Sequence, residues 1–201
     1  MDIRSSSNNN PSPTIVATPP FFVILGAGGF AREVFWHIFD TYSNFFNIAQ
    51  NYAYLQSYFT FVDETPGLTQ IETGKGIFPV VKDWTFNRSE DDLHFVVGVS
   101  DPSVKQSMVV KALSKGLTPA ATVVHPKALV QNARIGVGGV IAPGCIVTTN
   151  VTIGDYVTLN LNATVEHDSV IGDYCSISAG AAVSGNTSLA NGVTVGANTV
   201  V

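Results

Sequence analysis

The chain has 201 residues, of which 45% are hydrophobic, and a formal net charge of −5. That length holds two modest domains or one large one, and the acidic balance argues against a nucleic-acid binder relying on basic charge. No apolar run approaches the length of a membrane span, so an ordinary soluble protein is expected.

Residues 1–20 carry Ser5-Ser6-Ser7, Asn8-Asn9-Asn10 and prolines at positions 11, 13, 19 and 20. Such a segment is too polar to bury and too interrupted by proline to fold, which predicts a disordered tail. It has no long apolar core followed by a small-residue cleavage site, so no secretory signal is expected and the cytoplasm is the default location.

Residues 21–124 read as a small α/β domain with a parallel, Rossmann-like sheet. Phe21–Leu25 is a short apolar strand, followed by Gly26-Ala27-Gly28-Gly29-Phe30-Ala31 and a helix from Arg32 to about Tyr42. Strand, glycine loop and helix make a phosphate cradle, because glycines let the backbone approach an anion and free amides at the helix start hold it. The spacing also fits a dinucleotide fingerprint. The acid that takes a ribose belongs about twenty residues on, however, and here Asp63 and Glu64 come much later, after a second strand over Tyr58–Val62. A nicotinamide oxidoreductase is therefore only a distant alternative. Ligands sit at the carboxyl ends of parallel strands. The expected nucleotide site thus comprises Gly26, Gly28, Gly29, Phe30 and Ala31 on the diphosphate, with Asp63 or Glu64 on the base or ribose.

The aromatic, Asn-rich segment Tyr42–Gln56 stays open between extended and helical, and Thr65–Gly76 looks like a mobile surface loop. His94–Val99 reads as a strand. Asp101-Pro102 caps and opens a helix to about Lys115, with Gly116 as its stop. Leu117–Val124 is the closing strand, leading to His125-Pro126.

From Leu129 the sequence repeats every six residues. Leu129, Ile135, Ile141, Val147, Ile153, Leu159, Val165, Ile171, Ile177, Val183, Leu189, Val195 and Val201 hold the first position without exception. The fifth positions, Cys145 and Cys175 among them, are small or β-branched, which suits a narrow interior; thirty residues apart, the two cysteines fall on different faces and read as core packing. Fourth positions are Gly, Asn or Asp, residues that tolerate positive φ at a sharp corner, save for Tyr156 and Tyr174. A fixed period of six means a parallel β-helix, here over residues 125–201. With three hexads per coil, the two tyrosines stack on one corner.

The hexads resemble those of the hexapeptide-repeat acyltransferases, whose β-helix is left-handed and whose members use acetyl-coenzyme A. Three features extend the resemblance over residues 21–201: Gly26-Ala27-Gly28-Gly29, the His125-Pro126-Lys127-Ala128 junction, and Glu166-His167-Asp168 inside the hexads. These point to the nucleotide-sugar acetyltransferases, including bacillosamine-type and perosamine-type sugar N-acetyltransferases and relatives described as sialic acid O-acetyltransferases. The resemblance implies that the first domain holds a nucleotide-linked amino sugar and that the β-helix supplies the base and the coenzyme groove, without a metal.

Of the four histidines, His37, His94 and His125 read as structural, whereas His167 holds an outward third position. The resemblance makes His167 the base, with Asp168 and Glu166 as candidates to orient it; Asp168 is also a corner residue, and Glu166 also stands as a candidate substrate contact. Gly185 lies one coil on, about 4.8 Å away, and its uncovered amide would face the oxyanion. Asn160 matches a substrate-contacting asparagine. Ser176 stands where some relatives carry a second histidine near the coenzyme, and Phe30 where many have a polar residue.

The reaction so implied is acetyl-CoA-dependent N-acetylation of a UDP-4-amino-4,6-dideoxyhexose of the viosamine or bacillosamine type; sialic acid O-acetylation is the alternative. A γ-type carbonic anhydrase needs three zinc-ligating histidines, and the repeats hold one. Apolar outward residues, among them Val137, Pro143, Leu161, Ala179 and Ala197, predict a homotrimer with shared sites. Since the chain stops at Val201 in mid-repeat, a longer parent protein is expected.

Overall fold

The computed structural model of the protein describes residues 19–46, 52–86 and 93–201. The tail expected over residues 1–20 lies outside the described residues up to position 18. β1 (Phe21–Leu25) is buried after its first residue. α1 (Gly29–Thr41) begins three residues before the expected Arg32. Its first turn asks nothing of the glycines, because the amides there have no intrahelical acceptor in any helix. α2 (Ser43–Phe46) and α3 (Tyr52–Gln56) make the undecided segment helical where it is described.

β2 (Phe59–Val62) precedes β3 (Gln70–Thr73) and β4 (Gly76–Val81). These last two replace much of the expected mobile loop over Thr65–Gly76 with an antiparallel hairpin closed by Gly74-Lys75. The signal was present as alternation: Ile71 and Thr73 point inward, Gln70 and Glu72 outward. β5 (Leu93–Val97), α4 (Pro102–Ser114) and β6 (Thr118–Pro119) complete the unit. The sheet order is β3-β4-β2-β1-β5-β6, parallel except for β3.

Alternation in β1 divides the core. Phe22 and Ile24 join α1 in an aromatic cluster centred on Phe35, whose ring lies 4.9 Å from Phe59 and 5.1 Å from Phe78. Val23 and Leu25 face Val109 and Ala112 of α4 on the other side.

The closing strand expected over Leu117–Val124 is in fact two. β6 pairs with β5, whereas β7 (Val123–Val124) already belongs to the β-helix. Thr122 makes the break, its hydroxyl donating to the Gly136 carbonyl and accepting the Gly139 N–H. β7, β8 (Leu129–Val130) and β9 (Ala133–Ile135) form the first coil; β10 (Val140–Ile141), β11 (Ile146–Val147) and β12 (Val151–Ile153) the second. β13 (Thr158–Leu159), β14 (Thr164–Val165) and β15 (Val170–Ile171) form the third; β16 (Ser176–Ile177), β17 (Ala182–Val183) and β18 (Ser188–Leu189) the fourth, with β19 (Thr194–Val195) starting a fifth. Each strand pairs in parallel with its counterpart one coil on, giving three flat faces.

Partners lie eighteen residues apart, except on two of the three faces where the first coil meets the second; β9 and β12 keep the spacing of eighteen. On those two faces Val123 pairs with Val140 and Leu129 with Ile146, so the register slips by one. Val130 therefore packs toward the interior and Leu129 is exposed, correcting the hexad expected to begin at Leu129. A one-residue slip exchanges inward for outward positions, and the first coil has no coil before it to forbid that. Asn132, expected at a positive-φ corner, is likewise not among the positive-φ residues.

Both corner tyrosines adopt positive φ, 58° at Tyr156 and 61° at Tyr174. Left-handed backbone costs a bulky residue roughly 1–2 kcal/mol. The rings recover part of it by stacking 5.2 Å apart, with Phe95 of β5 stacked 6.0 Å from Tyr156, each pair contributing about 0.5–1.5 kcal/mol beyond its area. Cys145 and Cys175 are buried and free. His125 spans the junction: its Nδ1 accepts the Lys127 N–H, its Nε2 lies 3.1 Å from the Asp40 carboxylate, and its ring meets His37 edge-on.

Candidate active site

Two places carry chemistry-bearing groups. The first is a cleft of about 580 Å³ at the carboxyl ends of β1 and β2, lined by Gly26, Asp63, Glu64, Thr65, Trp84, Ser103, Ser107, Met108 and Lys111. Asp63 is a clamp on the backbone: its carboxylate accepts the Ala27 N–H at 2.9 Å and the Thr65 N–H at 2.8 Å. Burial pushes its carboxyl up, but these bonds and the Lys82 charge outweigh that and leave it below the usual range. Glu64 accepts from the Lys111 ammonium and the Trp84 indole, and both hold its carboxyl low. Gly28 and Gly29 are exposed, and the amides opening α1 have no side-chain cap. Ala31 is not at this surface. It is fully buried where Gly98 lets β5's exit approach α1, a Cβ on Gly98 falling 2.8 Å from the Ala31 Cα. Phe30 is half-buried against the aromatic core rather than presented to a ligand.

The second place is the corner after β14. His167 is 54% exposed, and its Nδ1 lies 2.9 Å from the Asp168 carboxylate. An ionised carboxylate only accepts, so Nδ1 carries the proton and Nε2 presents its lone pair. Asn150 donates to the other Asp168 oxygen at 2.6 Å, and the bonds from Asn150 and then His167 hold that carboxyl below the usual range. Asp168 is thus both a corner residue at φ 60° and the partner of the imidazole. The ring lies against Gly185, where a Cβ would stand 2.7 Å from Cε1 and 2.8 Å from Nε2. Glu166 does not orient His167 by any hydrogen bond described. It accepts the Gly185 N–H at 3.1 Å, so the amide expected to be free is occupied by a carboxylate oxygen.

Neither of the two remaining residues joins this corner. Asn160 turns its side chain back on the Leu161 N–H, at the corner before β14 rather than after it. Ser176 is buried under the first domain, bonded to Lys105 and to the Ser100 carbonyl, which removes it from any outer groove.

No protein-family model matches the chain, and no curated protein matches it in sequence. Solved structures do match in shape. The acetyltransferase domain of PglB from Neisseria gonorrhoeae aligns at 22% identity over 91% of both chains, with a TM-score of 0.65. A histidine-to-asparagine variant of perosamine N-acetyltransferase from Caulobacter crescentus, in complex with CoA and GDP-perosamine, aligns at 23% over 90% of this chain and 84% of that one, with a TM-score of 0.63. WeeI from Acinetobacter baumannii aligns at 20% over 90% and 93%, with a TM-score of 0.66. The chain shares the fold of these solved structures. Its two parts are those of that fold, a Rossmann-like sheet and a left-handed parallel β-helix.

Within this fold, sequence reasoning missed Trp84, Ser103, Ser107 and Lys111. The serines and Lys111 recur at four-residue spacing along α4, which puts them on one helix face. That spacing was legible, but its direction toward Asp63 and Glu64 depends on how α4 packs on the sheet. Among the described residues no group of three His, Cys, Asp or Glu side chains is placed to hold a metal, and no helix is long and apolar enough to cross a membrane.

Proposed function

We propose that the protein is an acetyl-CoA-dependent N-acetyltransferase acting on a nucleotide-linked amino sugar, with a UDP-4-amino-4,6-dideoxyhexose as the acceptor. One observation carries this reading: an imidazole with its Nε2 lone pair free lies against a glycine whose amide already holds an anionic oxygen. The Glu166 carboxylate stands in there for the oxygen of a thioester under attack, so the amide has the direction that an oxyanion donor requires. Glu166 must release it when an acyl group arrives.

In the proposed reaction the sugar amine forms a bond to the acetyl carbon and its proton passes to His167 Nε2. The carbon–sulfur bond breaks and the thiolate leaves, taking that proton back. Asp168 holds the ring and its tautomer. A neutral amine is a good nucleophile, so placement supplies much of the rate. The nucleotide would occupy the cleft, with its diphosphate on the amides of Gly28, Gly29 and the start of α1, and Glu64 and Lys111 parting to take a base or ribose donor and a phosphate oxygen.

A single β-helix is convex at the His167 corner, and it exposes Leu129, Val137, Ile146, Leu161, Val170 and Val200. We take this as support for a homotrimer in which copies share sites. Light scattering at micromolar concentration is expected to give three times the 21.3 kDa chain mass. Thiol release from acetyl-CoA with UDP-linked and GDP-linked amino sugars and free sialic acids tests the reaction. Turnover confined to a sialic acid hydroxyl would replace N-acetylation by O-acetylation.

A further inference from the structure

Helix α4 has two working faces. Ser103, Ser107 and Lys111 line the cleft, while Lys105, Val109 and Ala112 are buried on the other side. Lys105 is fully buried, and its ammonium reaches into the β-helix. It donates to the Thr158 hydroxyl at 3.0 Å, the Cys175 carbonyl at 3.2 Å and the Ser176 hydroxyl at 2.9 Å. An ammonium has three protons, and all three are placed. Ser176 passes the connection back by donating to the Ser100 carbonyl, just before α4. Thr158 belongs to the coil that also carries His167.

Among the described residues no carboxylate accepts from Lys105. Asp101 at the α4 N-cap accepts from Ser103 and Val104, and what the β-helix offers the ammonium is the Cys175 carbonyl beside two hydroxyls. Burial lowers the ammonium's pKa to about 8, with the Cys175 thiol and Asp101 only partly opposing it. A charge buried among neutral acceptors opposes folding at neutral pH, and a methionine would fill the same space without it. What the ammonium provides and methionine cannot is three directed bonds between two bodies.

We propose that Lys105 is a positioning residue for the acetyl transfer, pinning the cleft wall to the β-helix coil that carries His167 and thereby setting where the bound acceptor stands relative to the β-helix corners. This rests on the reaction proposed above. Lys105→Met separates positioning from folding. Because the folded pKa lies below the ordinary 10.5, stability from this group rises as pH climbs from about 8 to 10.5. The variant should match or exceed wild-type Tm at pH 7 and lose that alkaline gain.

The expected kinetic result is a kcat about tenfold lower, with KM for the nucleotide sugar and UDP affinity, read by Trp84 fluorescence, within about twofold. Unchanged kcat, or UDP affinity falling in step with kcat, overturns the proposal. Thr158→Val removes one acceptor at constant volume and should lower kcat less but in the same direction; if Lys105→Met does not fold, an unchanged kcat here is the overturning result. A wild type inactive on every acceptor counts against the reaction instead. The pin is then read by amide exchange, which should quicken in α4 of a Lys105→Met protein of normal Tm and stay slow in β10 to β17; unchanged α4 exchange overturns it.

Discussion

The two halves of the chain are held together by different forces. The sheet domain is an aromatic solid, with Phe35 touching Trp36, Phe39, Phe59, Phe61 and Phe78. The β-helix core is thin and aliphatic, and its corners are tied by side chains that each reach the neighbouring coil. Asp155 accepts from the Val137 amide, Asp173 from Asp155 and Asn191 from Asp173. The first construction encloses a cleft between elements distant in sequence. The second sets small groups on its corners at fixed intervals. If the cleft binds and the corner reacts, as proposed, the two can be disabled separately.

Gly185→Ala gives the largest separation. The new Cβ would meet the His167 ring at 2.7 Å, and the ring must leave. Turnover should fall about a hundredfold, since a misplacement near 1 Å costs that much. UDP titration should give the wild-type affinity; a parallel loss of UDP binding would mean that the two halves are not separable. Asp63→Ala is the mirror experiment. It frees the Ala27 amide and loosens the glycine loop, so UDP should bind about tenfold more weakly, near 1.4 kcal/mol. Unchanged affinity removes Asp63 from the site.

The junction gives the smallest effect. His37 is buried, its Nε2 has no hydrogen-bond partner, and burial first, then the neighbouring His125, lowers its pKa to about 4. Since the folded pKa lies below the unfolded 6.5, the unfolded chain binds the extra proton, and stability is lost as pH falls below about 6.5. The loss between pH 6.5 and 5.5 should be about 1 kcal/mol. Thermal melts of His37→Phe should lack that part of the acid decline; an identical decline would place the acid sensitivity elsewhere.

What could be read from the residues followed from how local the forces are. Each hexad states its own inward and corner positions, so the coils, the tyrosine stack and the outward place of His167 were legible. The slip at Leu129 was not, because the hexad pattern runs through it unbroken and only the pairing of the first coil with the second reveals it. Around the cleft, Asp63 and Glu64 were legible from their place after a strand. Their partners on α4, and the burial of Ala31 and Ser176, depend on packing between distant segments, which no local pattern records. Glu166 is by adjacency a candidate both to orient the imidazole and to contact substrate, whereas its longer side chain reaches the next coil.

The side-chain ties along the corners also decide where the chain can change length. From the second coil onward, adding or deleting one residue would carry Asp155 or Asp173 away from the amide it accepts and turn every later inward residue outward, so an indel there damages all that follows. The first coil already runs one residue short on two of its three faces, the missing residue falling between Val130 and Ala133. Loop grafts and length variants therefore belong between Val130 and Ala133, where the first coil is already a residue short and pairs with a coil on one side only.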